Sequence, residues 1–144
     1  MQMVFTQPSA TAAGNISPSR FITWQTGAGN ELTVVQASAV TQVLAGVSEK
    51  WVRQAPGYGP DYTYIAIANE ECPYRGPLQV ATLQLGGTVN STVPLVTNSS
   101  GQGVAAATLG SGTLQVIGAL SMRSGVANDY IPVYVLPLCI NPLS

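Results

Sequence analysis

The chain is poor in charge. Of its 144 residues only 8% are Asp, Glu, Lys or Arg, and the net charge is −1. Soluble globular chains usually carry about 25% charged residues. The five basic residues (Arg20, Lys50, Arg53, Arg75 and Arg123) are spread along the chain. No basic run exists that would release many counterions from a phosphate backbone, so a nucleic-acid partner is not expected.

Histidine is missing altogether. That excludes Ser-His-Asp and Cys-His catalysis and any zinc site that uses imidazole. Two cysteines, Cys72 and Cys139, cannot build a four-thiolate site. The opening MQMVFTQPSATAAG has neither a basic n-region nor an apolar h-region, so no signal peptide is expected. A disulfide between the cysteines stays open, and two free thiols are the plainer expectation without export. No apolar run reaches the ~20 residues that span a bilayer as a helix. Asn-x-Ser/Thr triplets begin at Asn15, Asn90 and Asn98, and they carry little meaning without secretion.

The remaining chemistry is sparse. Lys50 is the only lysine, and Ser48 would share a strand face with it, so a Ser-Lys dyad is formally open. An exposed strand end is the simpler reading. Glu70 and Glu71 are neighbours, and on a strand they point to opposite faces, so they cannot act as an acid-base pair. Asp61 and Asp129 are isolated. Gly27-Ala28-Gly29 lacks the third Gly and the following helix of a dinucleotide fingerprint. No cofactor, metal or catalytic residue is expected, and the chain is read as a non-enzyme.

What is present is β-structure punctuation. Gly, Pro, Asn and Ser recur between short runs of β-branched and aromatic residues. Arg20–Gln25 and Glu31–Gln36 read as a hairpin. Between Ser38 and Ser48, Val40, Val43, Leu44 and Val47 fall at helical spacing, but a turn followed by a strand is favoured. Tyr62–Asn69 reads as a strand and Glu70–Pro77 as a turn. Leu78–Leu85, Val93–Val96 and Val104–Ala107 form a meander, with turns at Gly86-Gly87 and at Asn98–Gly103. Leu114–Ser121 and Tyr130–Leu136 complete the set. Ile131, Val133 and Val135 are expected to point inward, and Pro132 to place its strand at an edge or bulge.

The expected fold is therefore all-β: a small β-barrel or sandwich of about eight or nine short strands over residues 20–136. Residues 1–19 read as an extended N-terminal arm and 137–144 as an extended, Pro-rich tail. Candidate contact residues follow from location and chemistry: Val4 and Phe5 in the arm, Trp51 and Tyr58 in the Pro/Gly loop Glu49–Asp61, and Leu136 and Leu138 toward the tail. Trp and Tyr are enriched in interface hot spots.

The order of these signals resembles the capsid decoration (cement, or head-stabilising) proteins of tailed bacteriophages. The likeness rests on ELTVVQASAV leading into VLAGVS, on TVNSTVPLVTNSSGQGVAAA, and on VIGALSMRSGVANDYIPVYV from Val116 to Val135. It covers most of the chain. The arm, the long loop and the tail depart from the pattern. The resemblance implies a structural virion protein, made in the host cytoplasm, that binds the outer capsid surface and stabilises it. It implies the major capsid protein as partner and a homo-oligomer, with a trimer favoured. Neither nucleic acid nor membrane is implied. The competing reading is a low-copy tail or host-attachment module, such as a carbohydrate-binding sandwich using Trp and Tyr.

Overall fold

The computed structural model describes residues 9–27, 29–51, 63–106 and 114–141. Among these are ten β-strands and no helix. They fall into a closed five-stranded barrel and a five-stranded sheet packed against it. The all-β expectation, with a small barrel, holds.

The barrel runs β1 (Ser9–Ala12), β3 (Thr33–Gln36), β2 (Phe21–Trp24), β4 (Leu44–Ser48) and β5 (Glu71–Arg75), with β5 closing onto β1. The β1–β3 pair is parallel and the others are antiparallel. A five-stranded barrel has a narrow interior, so its filling must be small. The residues inside fit that demand: Ala10, Ala12, Ala45 and Cys72 pack with Ile22, Val34 and Tyr74.

The second sheet has the order β6 (Val80–Gln84), β10 (Tyr130–Asn141), β9 (Gln115–Ser121), β7 (Pro94–Thr97) and β8 (Gly103–Ala105). Its inner face carries Ala81, Leu83, Leu95, Ala119, Ile131, Val133 and Val135. These close over Phe21 and Val47 of the barrel wall. Ile131, Val133 and Val135 thus point inward as alternation requires.

Strands β2 and β4 are walls of both cores. Phe21 enters the inter-sheet core and Ile22, its neighbour, the barrel core. In β4, Leu44 and Val47 go to the first and Ala45 to the second. Leu44 and Val47 are three residues apart, and regular alternation would send them to opposite faces. A register shift solves this: Ile22 pairs with Gly46 and Thr23 with Leu44, leaving Ala45 as the extra residue of a bulge.

Several expectations need correcting. Tyr62–Asn69 does not form a strand over its described residues. Ile65 and Ala66 pack into the barrel core, with one bridge from Ala66 to Ile16. The Ile67 carbonyl accepts the Glu70 amide at 3.0 Å, and Asn69 turns the chain with φ 69°. The strand lies instead at Glu71–Arg75, inside the Glu70–Pro77 segment expected to turn, and it contains Pro73. That proline is tolerated because its missing donor falls at the end of the β4 ladder. Its carbonyl accepts the Glu49 amide (3.1 Å), while the Glu49 carbonyl takes the Ser19 amide (3.1 Å). Pro132 does not mark an edge strand, since β10 lies between β6 and β9. It sits where β9 ends: its carbonyl takes the Met122 amide at 3.1 Å, and regular pairing starts at Val133–Ser121. The bulge on β10 falls farther on, between Val135 and Cys139, around Pro137. Strand β1 lies inside the segment read as an arm, and β10 runs to Asn141, inside the segment read as tail.

A Cβ at Gly46 would lie 2.1 Å from the Arg75 carbonyl oxygen, whereas one at Gly87 would meet nothing within 4 Å. Gly46→Ala is therefore expected to destabilise by roughly 2–4 kcal/mol in urea unfolding, because backbone must shift. Gly87→Ala should change stability by less than about 0.5 kcal/mol. Equal effects would remove the special role of the β4 bulge.

Candidate interaction surface

Ser48 and Glu70, both weighed for catalysis, are engaged in hydrogen bonds. The Ser48 hydroxyl donates to the Ser17 carbonyl (2.8 Å) and accepts the Arg20 amide (3.0 Å). It acts as a structural tie between β4 and the segment entering β2. Beside it, the Glu49 carboxylate pairs with the Arg75 guanidinium. The Glu70 carboxylate accepts the Ile67 amide at 3.1 Å and closes its own turn. Among the described residues no three His, Cys, Asp or Glu side chains gather as metal ligands.

The two cysteines are free. Cys72 is buried in the barrel, and burial pushes its pKa up to about 12. Such a thiol is inert at neutral pH. Cys139 is exposed on β10.

The turn between β7 and β8 is built to dock. The Asn98 side-chain oxygen accepts the amides of Ser100 and Gln102, both at 2.9 Å. Gly101 follows with φ 77°, and its carbonyl takes the Phe21 amide at 2.8 Å. The Ser100 carbonyl accepts both Arg20 Nη1 and Gln36 Nε2 at 2.9 Å. Arg20 also reaches the Gln84 side chain on β6. Burial lowers the Arg20 pKa, partly opposed by Tyr130. One guanidinium thus joins the barrel, the turn and the sheet.

The outer face of the second sheet is the feature that asks for a function. Register places Val80, Tyr134, Leu120 and Pro94 side by side across β6, β10, β9 and β7. Thr82 and Pro132 form the next row, with Met122 at its end. None of these residues is charged. Val80 is 51% exposed and Met122 52%. A sheet with one wet face normally alternates apolar inside with polar outside. Here β10 is apolar on both faces. Contiguous exposed apolar surface of this kind marks a contact site.

Leu78 adds to it. It occupies the third position of the turn Gly76–Gln79, closed by a 3.3 Å bond from the Gln79 amide to the Gly76 carbonyl. Its φ is 68° and its side chain is 67% exposed. Gly or Asn is the usual occupant of such a position. A leucine there is unfavourable for the backbone and presents an apolar side chain to solvent.

Of the six residues expected to make contacts, Val4, Phe5 and Tyr58 lie outside the described residues. Trp51 is half-exposed just beyond β4, apart in the chain from the apolar rows. Leu136 and Leu138 are in β10 itself, Leu136 partly buried and Leu138 63% exposed. The row Val80, Tyr134, Leu120 and Pro94 was not singled out from sequence. Its signal was there in YIPVYVLPLC, a run too apolar on both faces for a half-solvated strand.

No protein-family model matches the chain. No curated protein matches it either. Among solved structures the fold has a neighbour. It is similar to the N base of head fiber gp8.5 of bacteriophage phi29, with a TM-score of 0.51 and 13% sequence identity over 90% of this chain and 92% of that one. At that identity the likeness establishes a shared fold.

The thiols make a direct check of the described burial. In the native protein Cys139 should react promptly with a thiol reagent, and Cys72 only after unfolding. The Cys72 pKa rises on folding, from 9.0 to about 12. Its contribution to stability is therefore complete below pH 9 and is lost as pH rises toward 12, because the unfolded chain releases that proton first. A Cys72→Ala variant should show a flatter alkaline arm in stability against pH. Two thiols reacting equally fast in the native protein would contradict the closed barrel.

Proposed function

We propose that this chain is a structural protein of a tailed-phage virion that binds the outer surface of the assembled capsid and stabilises it. The observation that carries the reading is the mainly apolar rows across β6, β10, β9 and β7, bordered at β6 by Glu49, Lys50 and Arg75, on a fold shared with a phage head-fiber base. Such a face suits a protein held against fixed neighbours. The partners are the major capsid protein and further copies of this chain, as a trimer. The role is non-catalytic, and neither nucleic acid nor membrane takes part.

The physics of stabilisation is mass action. A protein that binds the closed lattice and not free subunits shifts the equilibrium toward the lattice at every occupied site. Each contact can be modest, since many copies act together. A surface with few charges also lets identical neighbours pack closely without like-charge repulsion.

Leu78→Gly and Val80→Glu test this together. Leu78→Gly relieves a positive φ at an exposed site, so it should fold at least as well as the parent. Val80→Glu changes a half-exposed side chain and should also fold. Added to shells that lack the protein, the parent should bind and raise their disruption temperature. Both variants should bind more weakly, Val80→Glu most, because it places a charge in a desolvated contact. Shells that disrupt at the same temperature with or without the parent protein would overturn the stabilising role. Unchanged binding by both variants would overturn the assigned face.

A further inference from the structure

Spread along the chain, the basic residues gather in space. Each one among the described residues lies at the border of the outer face of the second sheet. Lys50 and Arg75 line a notch with Val80, Thr82 and Pro132. Arg20 reaches the side chain of Gln84, which shares a strand face with Val80 and Thr82 and stands opposite Tyr130. Arg123 follows Met122 and donates to the Tyr130 carbonyl at 3.3 Å. Arg53 lies outside the described residues.

The carboxylates lie elsewhere. Strand β5 runs from Glu71 to Arg75, so its two ends carry opposite charge. At the Glu71 end, Thr11 pairs with both Glu71 and Thr33, and its amide donates to the Leu32 carbonyl at 3.0 Å. That brings Glu31, Glu70 and Glu71 to one end of the barrel. Two other acids come near the face, and neither offers a free charge to it. Glu49 is buried and paired with Arg75. Asp129 falls on the other side of the chain from Tyr130, and its carboxylate accepts the Val126 amide at 2.9 Å. Arg20, Lys50 and Arg123 have no ion pair among the described residues. A chain of net charge −1 thus presents apolar rows with a positive rim.

We propose that the partner of this face is an acidic protein surface, an apolar patch with carboxylates at its margin. This rests on the shell-binding reading and names the chemistry of the shell site. The apolar rows supply the dry centre of a contact, and the cations supply its polar rim. Rim charges act on encounter rate and orientation more than on final affinity. A second copy does not fit the same face, because a two-fold contact would set one positive rim against the other. Nucleic acid fits poorly, since the cations surround an apolar centre and do not follow a phosphate track.

The test follows association of the full chain with immobilised shells that lack it, in NaCl from about 0.05 M to about 1 M, where the screening length falls to ~3 Å. The parent should associate about tenfold faster at the low end. Lys50→Glu and Arg123→Glu change exposed side chains and should fold. Each should slow association by about tenfold at low salt and by less than about twofold at high salt. Lys50→Arg should match the parent. Glu71→Lys, at the far end of β5, should change the rate by less than about twofold. Equal, salt-independent rates for the parent and the rim variants would overturn the acidic partner and leave shell binding standing. A parent that fails to bind shells at all would overturn both. Binding to a DNA duplex as tight as to the shell at the same salt would assign the rim to nucleic acid and overturn the proposal.

Discussion

Two strands of the barrel, β2 and β4, are covered on both faces, and the rest of the molecule depends on that. Phe21 and Ile22 are adjacent, so strand geometry sends them to opposite sides. One enters the core between barrel and sheet, the other the core inside the barrel. On β4 the same division needs a bulge, and Gly46 provides it where a side chain would strike the Arg75 carbonyl. Gly118 answers from the sheet: a Cβ there would meet the Phe21 ring at 2.6 Å. Two hydrophobic cores are thus coupled through a shared wall. Neither half would keep its apolar surface dry without the other.

Polar groups reinforce the same junction. Arg20 precedes Phe21 and joins the Asn98–Gln102 turn to β6, while Ser48 ties the chain entering β2 to β4. The stretch from Gly76 to Ala105 is therefore more than a meander of turns. Its Gly101 carbonyl completes the hydrogen bonding of Phe21. The turn chemistry of Asn-Ser-Ser-Gly is what lets the sheet dock on the barrel.

Much of this was legible in the chain. Runs such as Phe21–Trp24, Leu44–Ser48 and Gln115–Ser121 announce themselves by β-branched residues between turn formers. The inward set of Ile131, Val133 and Val135 follows from alternation alone. What escaped has a physical reason. In β1, Ser9–Ala12 alternates exposed and buried, but its buried members are alanines, too small to show as a hydrophobic period. In β5, Pro73 argues locally against a strand, and only the end of the β4 ladder makes it acceptable. Tyr62–Asn69 alternates well enough for a strand, yet tertiary packing uses Ile65 and Ala66 as core residues within a turn. The apolar row on the outer face depends on register between four strands, which no local pattern specifies.

The fold, the shared wall and the apolar rows of the outer face agree with the proposal of a protein held in place among many neighbours. Ser48 and Glu70, two of the residues weighed for reaction, serve as ties within the fold. The measurement that bears most directly on this account is the copy number of the chain in purified phage particles. Quantitative mass spectrometry would give it relative to the main shell subunit. A ratio of the same order as the shell subunit is predicted. A handful of copies per particle would assign the protein to a tail or adsorption structure, and absence from the particle would contradict the account.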